Sequence, residues 1–159
     1  MLQEVFAALE EWANERSLKY RNEGLMPLGH CLIQVVGQTA LLEAKLDIHL
    51  AATADVDVHQ QIEHVFRKKL EELLQEKGKF LDPVGHEAWM PDETKYKTIF
   101  KGRYVEGAIA EPEYVLISKA LKAPKRNKEL LIDYLASNPS DLFYALAKKY
   151  KISLEEFLK

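Results

Sequence analysis

The stretch CLIQVVGQTALLEAKL, residues 31–46, constrains the fold more than any other part of the chain. Its first half is a short apolar run, rich in β-branched side chains, that stops at Gly37 and reads as a buried strand. Its second half carries strong helix formers from Gln38 onward. A strand passing through one glycine into a helix makes this a mixed α and β protein from its first third. Residues 54–58, ADVDV, then alternate small or apolar side chains with acidic ones, the period-two pattern of a half-buried strand. Strand positions i and i+2 face the same way, so Asp55 and Asp57 project together while Val56 and Val58 turn to the core.

The flanks supply helices. Val5, Leu9, Trp12 and Ala13 recur at helical spacing, so residues 2–20 read as an amphipathic helix that breaks at Asn22-Glu23-Gly24. From His59 to Lys77 the positions Ile62, Val65, Phe66, Leu70, Leu73 and Leu74 mark a long helix, closed by Lys77-Gly78-Lys79. Residues 80–109 read as strands between turns: Phe80-Leu81 with His86–Met90, then about 96–100, then 103–109. After Glu111 the pattern is helical, with Pro112 in a first turn, helices over 126–137 and 140–150, and a short last helix opened by a Ser153/Glu156 capping box. Trp12, Phe66, Phe80, Phe143 and Phe157 fall at core spacings. The expected architecture is α+β: a small mixed central sheet flanked by helices, with a helical C-terminal extension. At 159 residues it reads as a single domain, its core about 30–123 and its C-terminal helices about 124–159.

Charge and cysteine content narrow the setting. With 22 Lys and Arg against 25 Asp and Glu, the net charge of −3 lacks the excess that a backbone-gripping nucleic-acid binder carries. The one cysteine, Cys31, excludes an internal disulfide and a Cys-rich zinc site and suits a reducing cytoplasm. Acids at Glu4, Glu10, Glu11 and Glu15 do not fit a secretory leader, and no apolar run approaches the roughly 18–20 residues that span a bilayer. The expectation is a cytoplasmic protein without a membrane partner. No Walker phosphate loop, His-Glu-x-x-His helix or Gly-x-Ser-x-Gly elbow occurs.

Asp55 and Asp57 carry the chemical information. Two carboxylates side by side repel unless a cation lies between them or water reaches them freely. Hard paired oxygens of this kind suit Mg²⁺, which takes one or two carboxylates plus phosphate oxygens. The plain alternative is an edge strand with a solvated acidic face. Residues 35–58, VVGQTALLEAKLDIHLAATADVDV, resemble the nucleotidyltransferase-fold signature: an apolar strand, glycine with a small residue, a helix, then alternating hydrophobic and Asp positions. They are similar in particular to small bacterial nucleotidyltransferase-like proteins related to abortive-infection, toxin–antitoxin enzymes, matching at Gly37, Ala40, Leu41, Thr53, Asp55 and Asp57. The run EPEYVLISKALKAPKRNKELLIDYL resembles that group's C-terminal helix pair, with Lys119, Ala123, Arg126, Lys128 and Asp133 on its marked positions. Departures are Gln38 where the family has Gly or Ser, a longer spacer over residues 39–54, and no Arg before Thr53, although His49 lies nearby.

The resemblance implies Mg²⁺-dependent (or Mn²⁺-dependent) transfer of a nucleoside monophosphate from a nucleoside triphosphate to an acceptor such as RNA, a protein or a small molecule. Asp55 and Asp57 would hold the metal; Gly37, Gln38 and Thr53 would lie at the nucleotide, and Lys119 would reach the triphosphate. A third catalytic carboxylate is expected from a neighbouring strand, Glu87 first and Glu106 second. Gln38 and the long spacer also admit a fold that has lost its chemistry, leaving a nucleotide-sensing or protein-binding module with a protein partner.

Overall fold

The strand expected before Gly37 is β1 (Cys31–Val36), the middle strand of a five-stranded sheet, in a computed structural model that describes all 159 residues. On one side β1 pairs antiparallel with β2 (Asp55–Val58), and β2 runs parallel to a two-residue edge strand, β3 (Phe80–Leu81). On the other side lies β5 (Val105–Ala110), parallel to β1 and antiparallel to the second edge strand, β4 (Tyr96–Lys101). Ile33, Val35 and Val36 are buried because β1 is paired on both edges and covered on both faces, which is why it reads as an unbroken apolar run.

One face of the sheet carries α1 (Leu2–Asn22) and α3 (His64–Glu76), packed on each other; the other carries α2 (Gly37–Glu43) and α4 (Pro112–Lys122). Outside α4 lie α5 (Lys128–Ala136) and α6 (Asp141–Lys149). Leu2, Val5, Phe6, Leu9 and Ala13 form the inward stripe of α1. The Glu10 carboxylate accepts hydrogen bonds from the backbone N–H groups of Tyr104 (2.6 Å) and Val105 (3.1 Å), which pins α1 to the start of β5. Charge-assisted bonds of this type are about twice as strong as neutral ones. Pro112 sits in the first turn of α4, and Ser140 caps α6 by accepting from the Phe143 N–H at 3.2 Å. The buried side chains form one contiguous cluster of 35 residues. No helix is long and apolar enough to cross a membrane.

Four expectations are corrected. Residues 86–90 are not a strand: Gly85–Glu87 is a 3-10 turn, because Pro83 offers no N–H to an edge ladder and Asp82 Oδ1 accepts from the Val84 N–H at 2.9 Å. The helix expected from His59 begins at His64, since the His59 N–H donates to Gln34 O at 2.9 Å and prolongs the β2–β1 pairing. Phe80 is 54% exposed rather than core, as it lies on the outer side of an edge strand. The capping box at Ser153 does not form; Leu154–Leu158 is a 3-10 turn, with the Glu156 N–H donating to Ser153 O at 3.3 Å.

At Gly107 an added Cβ would run into the Phe6 ring, so α1 seats on β5 only over a glycine. Gly107→Ala is expected to lower unfolding free energy by about 1–3 kcal/mol, the usual effect of overpacking a tight core. Urea denaturation measures it, and an unchanged midpoint would contradict this packing.

Candidate functional site

The end of β1 and the start of α2 meet β2 at close range. Gly37 has φ +69°, and a Cβ there would lie 2.6 Å from Asp57 Oδ2, so glycine is required both by conformation and by space. On the other side of Asp57, a Cβ on Gly85 would lie 3.0 Å from Asp57 Cα. Asp57 is therefore clasped between two glycine backbones. Thr39 ties α2 to β2 by donating from Oγ1 to Asp55 O at 2.7 Å, and Thr53 Oγ1 accepts from the Asp55 N–H at 3.2 Å.

Six residues singled out from the sequence, Gly37, Gln38, Thr53, Asp55, Asp57 and Lys119, line one cleft of about 620 Å³ between β2, α2 and α4. Asp55 is exposed at its mouth and Asp57 half-buried, with Val56 and Val58 buried behind them. Glu87 does not join them. Its side chain is 70% exposed in the 3-10 turn, 4.0 Å from His86, and only the following Ala88 and Trp89 reach the cleft wall. Glu106 is at the far end of the sheet: it pairs across β5 with Leu32, near the start of β1, whereas Gly37 follows that strand's last residue.

Asp82 is the carboxylate that comes to Asp57. The parallel register sets Asp55 opposite Phe80 and Val56 opposite Leu81, and the Asp82 N–H donates to Val56 O at 2.9 Å. Continuing that register by one residue brings Asp82 beside Asp57, where its charge bears on the Asp57 carboxyl. Burial pushes the Asp57 carboxyl up to about 6, reinforced by the charge and hydrogen-bonding capacity of Asp82 and by Asp55, while Lys119 opposes the rise. The Lys119 ammonium is held below its ordinary range by burial first and by Arg126 second, with Asp57 pulling the other way.

Asp57 Oδ1 is buried and has no hydrogen-bond partner. An oxygen in that state calls for a proton or a cation. Asp55 on the same strand face supplies a second hard ligand, and this pair fits Mg²⁺, whose remaining positions fall to water and substrate oxygens. No three His, Cys, Asp or Glu side chains converge into a ready-made cage. Across the cleft, Lys119, Lys122 and Arg126 line the opposite wall and form no salt bridge. Glu129 and Asp133 share the cleft, and Lys122 lies over the Trp89 ring at 5.2 Å, so the carboxylate pair meets three cations that form no salt bridge, an arrangement suited to a metal-bound polyphosphate.

Gln38 is bound within the protein: its Nε2 donates to Ala51 O at 2.9 Å and latches the long loop 44–54 over the start of α2. Lys79 Nζ secures the same loop by donating to Thr53 O at 2.7 Å. Sequence reasoning passed over Asp82, although an acid directly after the Phe80-Leu81 strand is a usable signal. Lys122 and Trp89 also went unassigned; no local pattern separates them from a solvated face and a core aromatic. No family model matches the chain, and no curated protein or solved structure matches it either.

Because the folded state raises the Asp57 carboxyl from 3.8 to about 6, it binds that proton more tightly than the unfolded chain does. The associated stability is present below pH 3.8 and is lost as pH rises through about 6. In chelator-treated buffer at pH 8, Asp57→Asn is expected to melt about 2–4 °C above the parent, as a gain on the order of 1 kcal/mol gives in a chain of this size. The gap should close near pH 4. Calorimetric melting across pH tests this, and a variant that melts lower at pH 8 would refute it.

Proposed function

We propose that this chain is a nucleotidyltransferase-fold protein that, with Mg²⁺ or Mn²⁺, transfers a nucleoside monophosphate from a nucleoside triphosphate to an acceptor hydroxyl in the cytoplasm. The observation that carries the reading is the orphaned Asp57 oxygen beside Asp55, facing the unpaired Lys119, Lys122 and Arg126 across one cleft. In the transfer, the acceptor oxygen bonds to the α-phosphorus, the bond from that phosphorus to the bridging oxygen breaks, and pyrophosphate leaves. Asp55 and Asp57 would hold the ion, which when bound neutralises phosphate charge and stabilises the attacking and leaving oxygens.

The protein's own groups do the remaining work. Lys119, Lys122 and Arg126 bind the β- and γ-phosphates and balance the charge on the departing pyrophosphate. Asp82, the strand neighbour of Asp57, would take the place expected of Glu87 and accept the proton of the acceptor hydroxyl. Gly37 leaves room for backbone to approach phosphate. Thr53 acts by holding the start of β2.

A second reading rests on Gln38. Its amide, tied to Ala51 O, is committed to the loop where the family keeps a residue small enough for phosphate to approach. That tether favours a module that binds nucleotide or protein without turnover.

Calorimetric titration with non-hydrolysable triphosphates and Mg²⁺ tests the site common to both readings. Binding in the tens of micromolar, on the order of −6 kcal/mol, is expected, with loss in the Asp55→Ala/Asp57→Ala double variant. Release of labelled pyrophosphate from the parent then marks the enzyme, and binding without release marks the module. No binding of any of the four common triphosphates would overturn the nucleotide site.

A further inference from the structure

On the face of the sheet opposite the cleft, α1 and α3 enclose a second groove, of about 490 Å³. From α1 come Trp12, Arg16 and Tyr20, spaced four residues apart, hence one stripe advancing about 6 Å per step. All three are half-buried. Trp12 is fixed edge-on against Phe66, ring centres 5.8 Å apart, and the Arg16 guanidinium lies 5.7 Å from the Trp12 ring centre. The stripe is a run of flat groups, two aromatic and one cationic.

The α3 wall supplies His64, Lys68 and Lys69. The one acid in the groove, Glu72, is engaged by Lys69 at 3.4 Å. Arg16 and Lys68 form no salt bridge, whereas the neighbouring Arg67 is paired with Glu71 at 3.0 Å. None of the groove's cations secures the sheet or the core. Flat aromatic surface flanked by free cations recognises a planar, weakly polar body carrying an anion, and the volume lies within the roughly 300–1,000 Å³ of small-molecule sites. We propose that the α1–α3 groove binds a nucleotide unit, its base against the Trp12 ring and its phosphate on Arg16 and Lys68. The unit is either a free nucleoside monophosphate or one residue of a single strand. This site is independent of the cleft and of any reaction there.

The chain's two tryptophans separate the sites, Trp12 in the groove and Trp89 in the cleft. In the full-length Trp89→Phe protein, tryptophan emission reports the groove alone. Titration with AMP, and separately with hexauridylate, is expected to quench Trp12 saturably, with half-saturation below about 1 mM for at least one probe. Saturation by AMP at least as tight as by the hexamer assigns the free nucleotide; tighter binding of the hexamer assigns the strand. Arg16→Ala/Lys68→Ala should weaken binding about tenfold or more with an unchanged melting midpoint, and Asp55→Ala/Asp57→Ala should leave it unaltered. The proposal is overturned if neither probe quenches, if quenching survives the Arg16/Lys68 change, or if it disappears with the aspartates.

Discussion

Asp57 is a half-buried acid with Gly37 against its carboxylate and Gly85 against its Cα, and the geometry of the cleft follows from accommodating it. A side chain at either glycine would displace the strand–helix junction or the 3-10 turn that closes around it. Asp82 arrives by strand register, so neither acid can shift without disturbing β2–β3 pairing. Their mutual charge favours the protonated form of Asp57, and the ammonium of Lys119 opposes that. Proteins tolerate such local conflict where it serves a ligand, and remove it elsewhere.

The two faces of the sheet handle charge differently. Over α1 and β5 the Glu10 carboxylate is satisfied by two backbone N–H groups and serves as a clasp. Over α2 and α4 the Asp57 oxygen is left without a partner, and the cations of the cleft form no salt bridge although Glu129 and Asp133 share it. The first arrangement raises stability; the second keeps interactions in reserve, because unpaired groups gain the most when a complementary ligand enters. The loop 44–54, latched by Gln38 and Lys79, bounds that reserve and sets how much of the cleft stands open.

Much of the fold was legible because its signals are local. The apolar run into Gly37 is a strand meeting a helix, and the Asp-x-Asp alternation points both acids to one face, as β2 does. Reading failed where a neighbour overrode the pattern. Residues 86–90 have the composition of a strand, yet Pro83 and the Asp82 turn end the edge, and Gly85 must lie against Asp57. Phe80 looks like core, but its strand has no neighbour on its outer side. Glu87 lies away from the cleft for the same reason: which acid neighbours Asp57 depends on parallel pairing between strands more than twenty residues apart.

The sequence by itself determined most element types, the strand-to-helix passage at Gly37 and the shared face of Asp55 and Asp57, since backbone sterics and period-two geometry act within a few residues. Only the tertiary structure decided that Asp82 lies beside Asp57 in the strand register, that Lys119 shares the cleft with Lys122 and Arg126, and that Gln38 is tied to Ala51. Each of these depends on long-range register and helix packing, which bring together residues whose local patterns carry no record of one another.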